Sequence, residues 1–127
     1  MPTGSQLARL LLLPGIVLHE LAHYYFCRLV GAAIHEVCYF SFGSPAGYVI
    51  HTAPTRLRAH FVIACGPLLV NSAAAIALYW VAIVSTREAW AVGPDLWLAP
   101  LVRGTIAGWL AVVIALQALP STGDAIS

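Results

Sequence analysis

The chain resolves into three long apolar runs and one stretch of a different texture. Crossing the hydrocarbon core of a bilayer as a helix takes about 20 mostly apolar residues, and each run is near that length. The first extends from about Leu7 to Val30 and stops at Gly31; it contains Pro14, which predicts a kink or the start of a straighter helix. The second extends from about Leu57 to Val84, with Arg56 and Arg58 at its start, Arg87 just past its end, and Tyr79 and Trp80 placed as interfacial aromatics. The third starts at Leu96 or Gly104 and ends at Leu119, before Pro120; Arg103 lies inside the longer version, so the effective apolar run is nearer the shorter one. Between the first two runs, Ile34 to His51 places Val, Tyr, Phe and Ile around a Gly/Pro-rich turn, the pattern of a β-hairpin. A lone hairpin is marginal in water, so it is expected to lie against the helices or in the interface. The predicted fold class is an all-α membrane protein of about three transmembrane helices, with a short β-hairpin between the first and second, forming a single unit over 1–127. Gly104 and Gly108 form a G-x-x-x-G, which the sequence assigns first to packing within the chain.

Composition supports this reading. Of 127 residues, 61% are hydrophobic and only 9% charged, with a mean hydropathy of +0.87; soluble domains carry about 25% charged residues. Six basic and five acidic side chains are too few to clothe a soluble domain of this size. A net charge of +1 excludes a basic nucleic-acid binder. Cys27, Cys38 and Cys65 are odd in number and form no C-x-x-C pair, so they read as small apolar residues rather than a disulfide framework or a thiolate zinc site. The N-terminal apolar stretch meets charged and aromatic residues rather than a small-residue cleavage site, unlike a signal peptide. Arginines flank both ends of the runs, so the positive-inside rule does not orient the chain.

The first run carries the chemistry. His19-Glu20-Leu21-Ala22-His23 is an H-E-x-x-H on a predicted helix. Histidines four residues apart project from one face, one turn apart, where both imidazoles can meet one metal ion. Glu20 is offset around the helix and can reach the nucleophilic water without being a ligand. Burying two His and a Glu at lipid depth costs several kcal/mol, of order the insertion penalties for polar groups, unless they are paired, coordinated or hydrated. A catalytic zinc needs a third protein ligand and an open position for water. The candidates are His35, Glu36, His51, His60 and Asp124. Asp124 stands out because it follows the helix-breaking Pro120-Ser-Thr-Gly123 directly after the third run, and broken backbone at membrane depth is tolerated where it lines a polar cavity. Exposed or capping roles account for it otherwise. The other three histidines sit where interfacial polar residues are expected.

Taken in order, H-E-L-A-H-Y, a hairpin with Gly-Tyr-Val, C-G-P-L-L-V-N at the second run and a Gly-Asp after a proline turn resemble the site-2 protease family of intramembrane zinc metalloproteases. The resemblance covers roughly Pro14 to Asp124 and corresponds to a minimal catalytic core without a regulatory domain. It implies one zinc ion held by His19, His23 and Asp124, with Glu20 as catalytic base. It also implies Asn71 as a substrate-orienting or oxyanion-stabilising amide. Here one more residue separates Pro67 from Asn71 than the family pattern has, and Asn71 reads equally well as an interhelical hydrogen bonder. Family members continue into a helix after the aspartate, whereas only Ala125, Ile126 and Ser127 follow here.

The expected function is zinc-dependent endopeptidase cleavage of a transmembrane or membrane-proximal segment of a protein substrate, by an integral, multi-pass protein whose partners are that substrate and the lipid bilayer. A non-proteolytic metal-binding membrane protein is the rival, and a structural subunit with an accidental motif a third reading. Glu20 argues against the rival, because a metal carrier has no use for a base there.

Overall fold

The computed structural model describes residues 3–43 and 45–118. Its elements are α1 (Gly4–Leu29), β1 (Ile34–Cys38), β2 (Tyr48–His51), α2 (Leu57–Ala91) and α3 (Leu98–Leu116). All three helices are long and apolar enough to cross a membrane, and the hairpin lies between the first and second, as the hydropathy pattern predicts.

α1 begins in a capping box. The Gln6 amide donates to Thr3 Oγ1 at 3.3 Å and the Thr3 amide donates to Gln6 Oε1 at 2.8 Å, satisfying two otherwise orphaned donors. The helix passes through Pro14 as one continuous element and ends at Leu29. Gly31 then takes φ +78°, the left-handed conformation that stops helices and that glycine adopts without a steric penalty.

α2 runs to Ala91, seven residues beyond the expected end at Val84. Tyr79 lies about 33 Å along the axis from Leu57 at 1.5 Å per residue, close to the roughly 30 Å of a hydrocarbon core. The aromatic pair is therefore spaced as an interface marker would be, and the added turns carry Arg87 and Glu88. α3 begins at Leu98, so the longer version is correct despite Arg103. That charge is matched: Arg103 Nε donates to Ser85 Oγ at 2.9 Å, and its guanidinium forms an ion pair with Glu88.

Close approach at glycines sets the packing. α2 and α3 share the most extensive interface. A Cβ on Gly104 would lie 3.3 Å from Ser85 Cβ and Thr86 Oγ1, and one on Gly108 would lie 3.9 Å from Ala82 Cβ. The G-x-x-x-G is thus used against α2. Gly66 of α2 receives the Phe26 ring of α1, with a hypothetical Cβ only 2.4 Å from the ring. The large side chains outside these seams, among them Leu29, Leu69, Ile76 and Trp80, are exposed, an apolar perimeter that a bilayer solvates and water does not.

The hairpin is antiparallel, with Glu36 opposite Ile50, Val37 opposite Val49 and Cys38 opposite Tyr48; the register shifts between Ile34 and Glu36. It packs on α1 and folds back along it. Its tip reaches Arg9, whose guanidinium donates to the Gly43 carbonyl, about 30 Å along the helix from Leu29. Tyr48 donates its hydroxyl to Glu36 Oε1 at 2.6 Å. That bond, with the carboxylate charge nearby, holds the phenol above its ordinary pKa of 10.0.

Gly66→Ala is expected to lower stability by about 1–3 kcal/mol, the usual range for overpacking, measured by unfolding in detergent micelles. Adding Phe26→Leu should recover part of that loss. Unaltered stability in Gly66→Ala would contradict the packing described.

Candidate metal centre

The buried residues of α1 are Gly15, Ile16, His19, Glu20, Ala22, His23 and Cys27. This is one helical stripe with a spacing of three to four residues, so the fold places the H-E-x-x-H on the inward face. His19, Glu20 and His23 keep only 5%, 9% and 6% of their surface exposed. The two imidazoles meet edge to face, with ring centroids 4.9 Å apart. One turn of helix has brought them together, as the four-residue spacing requires.

His19 reaches across to α3. Its Nδ1 lies 2.5 Å from the main-chain carbonyl of Gln117. A carbonyl only accepts, so Nδ1 carries a proton and donates it; in the neutral imidazole Nε2 is then the lone-pair nitrogen. Metal-ligating histidines are ordinarily held in this way, with one ring N–H on a carbonyl or carboxylate and the other nitrogen presented to the ion. Gln117 is the C-cap of α3, where helical carbonyls lack intrahelical partners. The end of α3 thus supplies an acceptor that the imidazole satisfies.

The hairpin covers Glu20. A Cβ placed on Gly47 would stand 2.7 Å from Glu20 Cγ and 3.0 Å and 3.1 Å from the Tyr39 and Cys38 carbonyl oxygens. Only a residue without a side chain fits between the carboxylate's stem and the turn. Asn71 is also buried, with none of its surface exposed. Its Nδ2 donates to the Gly15 carbonyl of α1 at 3.4 Å and to the Ile114 carbonyl of α3 at 3.2 Å. Its Oδ1 is buried and meets no donor among the described residues, a desolvation cost of about 1–3 kcal/mol. The interhelical role allowed by the sequence is the one its amide hydrogens serve here.

The alternative ligands stand elsewhere. His35 Nε2 is 2.7 Å from Thr52 Oγ1, and His51 Nδ1 donates to the Thr52 carbonyl at 3.1 Å, both at the base of the hairpin. Glu36 accepts from Tyr48, and His60 sits in the first turn of α2. Among the described residues no group of three metal-capable side chains gathers. Asp124 lies outside the described residues. The described site therefore fits a metal to the extent of two imidazoles on one face, one with its tautomer fixed, and a carboxylate beside them. Sequence reasoning missed Gln117 and the packing role of Gly47. A main-chain carbonyl carries no residue-type signal, and a glycine in a Gly/Pro-rich turn reads as turn chemistry alone.

Gly47→Ala is expected to lift the turn from Glu20 and to raise hydrogen exchange at the β1 and β2 amides at least several-fold. Gly43→Ala, where a Cβ would meet only Ser41 Oγ at 3.5 Å, should leave exchange unchanged. Equal exchange in the two variants would contradict the contact. Compared with protein families, curated proteins and solved structures, the chain matches none of them.

Proposed function

We propose that this chain is a zinc-dependent intramembrane endopeptidase of the site-2 protease kind, an integral multi-pass protein that cleaves a transmembrane or membrane-proximal segment of a protein substrate. One observation carries the reading: two histidines and a glutamate of an H-E-x-x-H are buried together inside a helix apolar enough to cross a bilayer. Ionisable groups in that setting are costly and are retained for function.

His19 and His23 would hold the zinc, with Asp124 as third ligand. Asp124 follows Gln117 by seven positions, and a stretch of that length spans at most about 25 Å, which is long enough to allow a carboxylate on it to meet the two rings. When bound, zinc supplies Lewis-acid polarisation of the scissile carbonyl and lowers the pKa of its water. Glu20 takes the proton from the attacking water as the new C–O bond forms. It then returns that proton to the amine nitrogen as the C–N bond breaks. The Gln117 carbonyl keeps the His19 ring oriented through both steps. The Gly47 turn backs Glu20 and limits the water that reaches it.

A helical substrate hides its carbonyls in its own hydrogen bonds and must unwind to be cut. Among the described residues β1 and β2 pair only with each other, so the sheet has an outer edge on which an unwound segment could pair. The hairpin lies along α1 beside the site, which supports that use.

Glu20→Gln in liposomes should keep about one zinc per chain, since the residue is not a ligand, and should lower cleavage by 10²-fold or more, the usual share of a general base. Asp124→Ala should lower zinc occupancy. Undiminished cleavage by Glu20→Gln would remove the base from the mechanism. Stoichiometric zinc without cleavage in the parent protein would favour the non-proteolytic metal binder.

A further inference from the structure

Asn71 stands on the α2 face that also carries Ile63, Gly66, Pro67 and Ala75, the buried stripe of that helix. Both of its acceptors are main-chain oxygens, one on α1 and one on α3. Gly15 precedes His19 by one helical turn, and Ile114 precedes Gln117 by three residues. The two carbonyls held by Asn71 are therefore adjacent, on each helix, to the two groups that form the His19–Gln117 bond. Gly15 is also a point of close approach between α1 and α3: a Cβ there would lie 2.3 Å from the Val113 carbonyl oxygen and 2.8 Å from Gln117 Cγ. One donated amide and one absent side chain set the spacing of α1 and α3 at this level.

We infer that Asn71 is a positioning residue rather than a group that touches the substrate. By holding the Gly15 and Ile114 carbonyls together, it keeps α1 and α3 at the separation at which the Gln117 carbonyl accepts from His19 Nδ1. The His19 tautomer thus depends on an amide of α2, the neighbour of both helices that make the bond. An amide is required because it brings two N–H donors to two acceptors. A carboxylate of the same shape would bring lone pairs instead. The consequence for zinc affinity rests on the metal-centre reading above; the consequence for the tautomer does not.

The test is ¹⁵N-histidine NMR on the full chain in lipid nanodiscs without metal, followed by zinc titration, on the parent and three variants. The parent should show His19 protonated at Nδ1. In Asn71→Asp and in Gly15→Ala that form should give way to a mixture, and zinc affinity should fall about tenfold or more, as for loss of a partner that orients a metal-ligating histidine. Gly104→Ala, a packing lesion at the other end of α3, should lower thermal stability and move neither signal. If Asn71→Asp keeps the parental tautomer and zinc affinity, the inference is overturned, and a kcat loss alone would make Asn71 a substrate-contacting residue. If Asn71→Asp does not fold, Gly15→Ala decides: an unchanged His19 tautomer in that folded variant overturns the inference as well. A parent that binds no zinc, yet whose tautomer responds as described, would refute the metal reading and leave this one standing.

Discussion

The contact on which the site depends is the hydrogen bond from the His19 imidazole to the main-chain carbonyl of Gln117, the C-cap of α3. A helix that ends inside a bundle leaves its last carbonyls without intrahelical partners. α3 ends beside His19, although α1 continues for ten more residues to Leu29. The imidazole N–H resolves that difficulty at Gln117. In doing so it sets Nδ1 as the donating nitrogen of that ring.

The other constraints serve to hold that contact. Where lipid tails replace water, helices gain little from the hydrophobic effect and associate through close packing and interhelical hydrogen bonds. The molecule uses both. Gly66 admits the Phe26 ring, Gly104 admits Ser85 and Thr86, and Gly15 admits the end of α3. Asn71 joins all three helices at one level, and Arg103 is matched by Ser85 and Glu88 at the far end of the α2–α3 seam. Gly47 extends the same economy to the hairpin, whose turn lies directly on Glu20.

Much of this was legible in the sequence, for physical reasons. Span length and apolarity are one-dimensional properties, so α1, α2 and the hairpin were found, including the stop at Gly31. The i, i+4 spacing of His19 and His23 dictates a shared face in any helix. Errors arose where a tertiary partner overrode a local signal. Arg103 counts against the longer α3 in one dimension, because its partners Ser85 and Glu88 come from α2. Pro14 predicts a kink or the start of a straighter helix, and α1 carries it inside one continuous element. Asn71 supported two readings because spacing along α2 does not say which neighbours its amide meets. The role of Gln117 belongs to its backbone and was illegible in principle.

The central claim is that the buried face of α1 is a zinc site built from imidazole and carboxylate. Zinc-edge X-ray absorption of the purified protein in lipid tests it most directly. The account predicts a shell of nitrogen and oxygen ligands at about 2.0–2.2 Å, with the multiple-scattering signature of two imidazoles. A shell with sulfur at about 2.3 Å, implicating Cys27, Cys38 or Cys65, or a protein that retains no zinc, would contradict it.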